Sequence, residues 1–391
     1  MQYLQLLLLF AVSQTHCDLR LDPTGNQWLK SILSNKQTPS QQTIDTADKC
    51  LTPNQEKGRC VKPSECMDKA DDDDEIDLEQ LNVFRMHDCH YLLKCCPLAR
   101  LIQQPTTAPP VTQAPRVGCG WSNPNLSKIK NAGTNYAKFG EFPWMVALLR
   151  KSSLAWVQKD YLGGGSLIHP SVVMTAAHKV NIVTKNELKC RAGEWDTQTL
   201  NEDYEHQERN VAKIISHEGL WLKTGLNNIA LLFLEQPFDL TGAPHIGIAC
   251  LGQIRPRDGT SCTSMGWGQE DFNNANKYAV ILKKVQLPIY NRVQCQANIR
   301  KFRKLRKWDM HDSMMCAGGE EGVDTCLGDG GSPLVCEIDG SKRYAVYGMV
   351  AFGVQCGRKD TPGVYTDVAY LYDWVRNTMI GEGLSTDSFE Y

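Results

Sequence analysis

The sequence predicts a mostly β protein, a barrel or sandwich of short strands behind a small disulfide-stapled module, and three observations carry that expectation. From about residue 142 onward, short apolar runs recur between Gly, Pro, Asn and Asp: Phe142–Leu149, Gly164–His169, Val172–Ala176, Val211–Ile215, Ile229–Leu234 and Tyr344–Val350. Runs of that length with turn residues between them fit an all-β barrel or sandwich better than helices. A helix over Tyr370–Ile380 closes the chain. Ahead of the strands, six cysteines crowd into 47 residues: Cys50, Cys60, Cys66, Cys89, Cys95 and Cys96. A span that small buries little core, so bridges must supply most of its stability.

At 391 residues the chain is long enough for two or three domains. The hydrophobic fraction is 42%, the charged fraction 22% and the formal charge -2, which gives no general attraction to nucleic acid or to a membrane surface. Residues 4–12 form an apolar run too short to span a bilayer, followed by small and polar residues. This reads as a secretory signal peptide within residues 1–17, ending at Ser13 or Cys17, although no Lys or Arg precedes the run. With 16 cysteines behind an export signal, the expected state is disulfide-bonded and extracellular. A cytosolic zinc protein is the rival, but paired Cys-x-x-Cys knuckles do not occur.

Residues 18–49 form a polar leader with one amphipathic stretch around Trp28–Leu33. The cysteine-rich module follows at 50–96, and its six cysteines allow 15 pairings. Inside it runs Asp71 to Glu75, with Asp68, Asp77 and Glu79 nearby. A calcium loop needs glycine at its sixth position, and here that position is Asp73, so a solvated loop is expected, with calcium as the alternative and no other cofactor. Residues 97–129 are a linker, Pro/Thr-rich from Gln103 to Arg116. Asn125-Leu126-Ser127 is a glycosylation acceptor. Arg85, Arg100 and Arg116 lie in segments expected to be open to proteolytic cleavage.

Three motifs then carry chemistry. Asp324 to Leu334 reads Asp-Thr-Cys-Leu-Gly-Asp-Gly-Gly-Ser-Pro-Leu, residues 175–178 read Thr-Ala-Ala-His, and residues 227–232 read Asn-Asn-Ile-Ala-Leu-Leu. Together they resemble the nucleophile loop, the general-base loop and the orienting-acid segment of trypsin-like serine proteases, over roughly residues 130–380. The resemblance implies a trypsin-like double β-barrel for residues 130–391, with His178 in the place of the base. It also exposes departures. Gly330 stands where the family has its serine, and a glycine has no side chain to attack a carbonyl. Ser332 lies two residues downstream and would leave the loop in another direction. Asn228 replaces the orienting aspartate, and an amide favours the wrong imidazole tautomer. Lys130-Asn131-Ala132-Gly133 replaces the family's Ile-Val-Gly-Gly amino terminus, so Asp329 is expected to lack its ion-pair partner and the Gly328 and Gly330 amides to form no oxyanion hole. Asp324, Gly353 and Gly363 occupy the positions of a basic-specificity pocket, inherited with or without use.

The cysteine module resembles an arthropod clip domain, which implies Cys50–Cys95, Cys60–Cys89 and Cys66–Cys96. For the large domain the resemblance implies Cys119–Cys250, Cys262–Cys336, Cys295–Cys316 and Cys326–Cys356. The family's bridge beside the histidine is lost, with Gly163 and Lys179 at its ends. Cys190 is then left to pair with Cys17, to stay free, or to pair between chains. The most basic segment holds six cations in nine residues: Arg300, Lys301, Arg303, Lys304, Arg306 and Lys307 around Phe302, Leu305 and Trp308. It fits an amphipathic helix with a solvated basic face, or a docking surface for an acidic partner or polyanion. Membership among catalytically inactive clip-domain serine protease homologues would imply a secreted haemolymph protein that acts as cofactor or scaffold in phenoloxidase activation, the melanisation arm of innate immunity. The partners would be the phenoloxidase zymogen and clip-domain proteases or other homologues, with an oligomer after cleavage possible, and with neither nucleic acid nor membrane insertion. The rivals are an adhesion or microbial pattern-recognition protein and, behind it, an active trypsin-like hydrolase.

Overall fold

The computed structural model describes residues 49–51, 56–61, 94–100, 118–123, 125–126, 135–151, 160–198, 202–269, 278–338 and 340–391. The signal peptide, the leader up to Asp48, Cys66, the acidic run, Arg85, Cys89, Arg116, Lys130–Gly133 and Cys17 lie outside these residues. Of the cysteine-rich module, three strands are described, β1 (Lys49–Leu51), β2 (Lys57–Val61) and β3 (Lys94–Pro97), in the order β1-β2-β3. Cys60 faces Cys95 across the β2–β3 ladder, and both Cys95 and Cys96 are disulfide-bonded.

The large domain is two barrels. β4 (Met145–Arg150), β5 (Tyr161–His169), β6 (Val172–Thr175), β7 (Leu188–Ala192), β8 (Gln207–Ser216) and β9 (Ala230–Leu234) close in the order β4-β5-β6-β9-β8-β7. The second sheet comprises β10 (Cys250–Leu251), β11 (Ser261–Gly266), β12 (Lys283–Tyr290), β13 (Met314–Ala317), β14 (Pro333–Ile338), β15 (Arg343–Phe352) and β16 (Gly363–Asp367). Pairing of β16 with both β13 and β15 closes it, with β10 added outside β15. Closure removes the free edges that short strands would otherwise expose.

Each barrel buries its own apolar set, Leu148, Leu167, Leu188 and Leu232 in the first and Leu287, Leu334 and Tyr365 in the second. A further core joins the barrels through Trp144, Met174, Trp267 and Met349. Helix α3 (Val368–Gly381) docks on that core with Val368, Leu371, Tyr372, Val375 and Met379, the spacing of one helical face. Asp367 caps it by accepting the Tyr370 N–H at 2.9 Å. Truncating Leu371 or Met379 to Ala should cost about 2–5 kcal/mol. The bridges formed are Cys119–Cys250, Cys262–Cys336, Cys295–Cys316 and Cys326–Cys356, the four pairs the resemblance implies. Cys190 is a free thiol, fully buried on β7.

The basic segment is not an α-helix. Helix α2 (Arg292–Ile299) ends before it, and a single 3₁₀ turn covers Arg303–Leu305. Phe302 donates to the Ile299 carbonyl at 3.2 Å, Leu305 to Phe302 at 2.8 Å and Trp308 to Leu305 at 2.9 Å. These i to i−3 bonds are successive tight turns, interrupted by the extended Phe302, so the three-residue apolar spacing follows the turns and not the 3.6-residue α period.

Candidate functional site

Both barrels contribute to the site. Helix α1 (Ala177–Val180), a single turn after β6, carries His178; Asn228 stands at the entry to β9; the loop carrying Gly330 leads into β14. The Gly164 N–H donates to the Gly330 carbonyl at 3.0 Å, tying β5 of the first barrel to that loop. Thr366 Oγ1 donates to the Asn228 carbonyl at 3.0 Å, so the second barrel also fixes Asn228.

Asn228 Oδ1 accepts the backbone N–H of His178 at 2.9 Å, which leaves its amide nitrogen 2.9 Å from His178 Nδ1. The side-chain NH₂ can only donate, so Nδ1 accepts and the ring proton resides on Nε2. A general base needs the reverse, a free Nε2 facing the nucleophile. Burial, with the Lys179 ammonium beside the ring, pushes the His178 pKa down to about 4. The imidazole is therefore neutral near pH 7 and presents an N–H where a proton would have to be taken.

Opposite it the nucleophile position is empty of side chain and short of room. A Cβ built on Gly330 would lie 2.9 Å from His178 Nε2 and 2.8 Å from Lys179 Cδ. One on Gly163 would lie 2.5 Å from Lys179 Cε. The lysine stem thus runs across the two glycines and fills the corner that a disulfide staples in the family. Burial lowers the Lys179 pKa, and Asp329 opposes that shift.

Asp329 turns inward, accepting the Gly268 N–H at 2.8 Å and the Cys326 N–H at 2.9 Å. Burial nonetheless raises its pKa to about 6, with Lys283 and Lys179 as the nearby cations. Among the described residues, neither the Gly328 nor the Gly330 N–H meets a backbone acceptor. Six residues before Gly330, Asp324 accepts the Thr325 N–H at 2.8 Å and the Gly357 N–H at 3.1 Å, and burial raises it to about 6. A Cβ on Gly353 would meet nothing within 4 Å, and one on Gly363 would lie 3.3 Å from Asp324 Oδ1. Asp324 thus lies beside Gly363, and the space next to Gly353 is free of other atoms within 4 Å. Ser332 Oγ is buried, packed against Gly164 and Gly266.

A trypsin family profile matches residues 132–375. The chain belongs to the trypsin-like serine protease family, among its clip-domain homologues. It is 46% identical over 301 residues to phenoloxidase-activating factor 2 of Galleria mellonella, covering 74% of this chain and 98% of that protein. It is 34% identical over 324 residues to an inactive CLIP domain-containing serine protease, A28, of Anopheles gambiae, covering 79% of this chain and 83% of that protein. Among solved structures, mouse neuropsin, a serine protease, superposes with a TM-score of 0.52 at 27% identity, over 63% of this chain and 98% of the other.

From sequence Lys179 is legible only as the end of a lost bridge; its adjacency to His178 is the signal for its place in the site. Sequence reasoning also passed over a buried acidic pair. Glu194 accepts from Arg191 Nη1 at 2.7 Å, and burial beside it raises Glu202 to about 8, so one carboxyl of the pair is held protonated near neutral pH. Among the described residues no group of three or more His, Cys, Asp or Glu could hold a metal, and no helix is long and apolar enough to cross a membrane. Asn125 is exposed, as glycosylation requires.

Proposed function

We propose that this chain is a secreted, non-catalytic serine protease homologue that serves as cofactor or scaffold in an extracellular clip-protease cascade, the activation of prophenoloxidase in haemolymph. The observation that carries the non-catalytic half is the corner where Lys179 lies across Gly163 and Gly330 while Asn228 holds His178 with its proton on Nε2. Nucleophile, base and working space are lost together there. The cascade half rests on the similarity to a phenoloxidase-activating factor and to inactive clip-domain homologues. Its partners in this reading are the phenoloxidase zymogen and a catalytically active clip-domain protease.

The test is reconstitution. The zymogen and its activating clip protease are mixed with and without this protein, intact and after limited cleavage, and phenoloxidase turnover is followed. A rise in turnover with unchanged hydrolysis of the zymogen peptide bond supports a cofactor. No effect of either form on turnover would overturn the cascade assignment.

A further inference from the structure

Residues 299–308 read Ile-Arg-Lys-Phe-Arg-Lys-Leu-Arg-Lys-Trp, an apolar residue followed by Arg-Lys three times over. The backbone bonds from Phe302 to Ile299, Leu305 to Phe302 and Trp308 to Leu305 repeat with the same period of three. Ile299, Leu305 and Trp308 accordingly turn into one apolar cluster, and Trp308 packs edge-on against Phe352 at 5.7 Å. Phe302 is extended, so the 3₁₀ turn carries only the second and third pairs, Arg303-Lys304 and Arg306-Lys307, which lie one turn and about 6 Å apart.

The first pair is engaged locally, Arg300 with Asp309 and with the Trp308 carbonyl, Lys301 with Asn298 at 2.7 Å. Arg303, Lys304, Arg306 and Lys307 are exposed, and among the described residues none of them has an ion-pair or hydrogen-bond partner. Arg358, 5.2 Å over the Phe302 ring, adds a cation beside them. Like charges this close repel, and burial of the apolar residues alone would be served by any polar residue between them.

We infer that this ribbon is a binding surface for a linear sulfated polysaccharide. Two exposed Arg-Lys pairs on one short turn, four cations with no partner among the described residues, suit a linear polymer that carries sulfates at close intervals. A folded acidic protein would have to match both pairs with carboxylates fixed by its own fold, whereas a sulfated chain can lie along them. Single-stranded nucleic acid is disfavoured because its binding relies on aromatic faces for the bases, and here Trp308 is buried, 8% exposed, and Arg358 lies over the Phe302 ring.

Heparin is the probe. Full-length protein should be retained on immobilised heparin at 0.15 M salt, where a Debye length of about 8 Å confines the attraction to contact range. Replacing Arg303, Lys304, Arg306 and Lys307 by Ser leaves the apolar residues in place; it should abolish retention and make the salt dependence shallower by about 3 in slope, on the single-strand polyelectrolyte scale. A control with Lys138, Lys185, Arg257 and Lys342 changed to Ser loses the same charge and should be retained like the parent. Equal chromatographic behaviour of the two variants, or no retention of the parent, overturns the ribbon as the binding surface. Poly-glutamate or single-stranded DNA competing as well as free heparin overturns the polysaccharide as its ligand.

Discussion

Asn228 grips His178 at two points, receiving its backbone N–H and donating to its Nδ1, each at 2.9 Å. The first contact dictates the second, because an oxygen committed to the backbone leaves only the NH₂ to face the ring. The tautomer follows from the amide and would not follow from an aspartate. Nitrogen-detected NMR should show the His178 proton on Nε2, and titration should find the ring neutral down to about pH 4. Asn228→Asp should move the proton to Nδ1 and raise the pKa. An unchanged spectrum in that variant would mean the amide does not set the tautomer.

The pH dependence of stability has two opposed parts. His178 is lowered from 6.5 to about 4, so the unfolded chain takes up a proton first as pH falls, and stability is lost between 6.5 and 4. Asp324 and Asp329 are raised from 3.8 to about 6, so the folded state keeps protons the unfolded chain has released, and stability is lost as pH rises from 3.8 to 6. In urea titrations Asp324→Asn should remove part of the loss on rising pH and leave the loss on falling pH intact. Identical pH profiles for the variant and the parent would contradict the burial cost assigned to Asp324.

Gly331 sits at φ +84, and a Cβ there would lie 2.3 Å from Thr175 Oγ1 and 2.4 Å from the Gly164 carbonyl. Both contacts lie on the other barrel. Gly331→Ala should therefore cost more than the roughly 1–2 kcal/mol of a left-handed backbone alone. Thermal unfolding would register this as a clear drop in Tm, and a Tm within a degree of the parent would refute the close approach.

Cys190 is fully buried and its thiol is pushed well above its usual range by burial. Native protein should leave it unalkylated by iodoacetamide, with labelling only in denaturant. Labelling of Cys190 in the folded protein at neutral pH would contradict its burial.

Much of this site was legible from residue identity. Gly330, Asn228 and Asp324 announce themselves because each sits inside a motif whose spacing fixes its place, and the four bridges of the large domain appear as the resemblance implies. Less legible were strands such as Ser261–Gly266 and Met314–Ala317, which lack the β-branched alternation that marks a strand and owe their pairing to barrel closure. The path of Lys179 was invisible because it depends on two glycines, one of them 151 positions away in sequence, meeting only when the barrels pack. The basic segment was misread because apolar residues every third position look like half an α-helical stripe until the backbone bonds are known.

Stepwise repair of the site tests the proposed loss of chemistry at several of its points together. The measurement is hydrolysis of an Arg-based chromogenic peptide by the parent, by Gly330→Ser, by Gly330→Ser with Asn228→Asp, and by that pair with Lys179→Ala and an Arg-Ile-Val-Gly-Gly junction in place of residues 129–133. Loss of the nucleophile in a working triad costs on the order of 10⁶ in kcat and loss of the acid about 10⁴, without additivity. Parent and single revertant should stay at background, the double revertant should gain little, and only the fully repaired protein should turn over substrate. Turnover by the parent, or robust turnover by Gly330→Ser alone, would mean that Asn228, Lys179 and the altered junction do not silence the site.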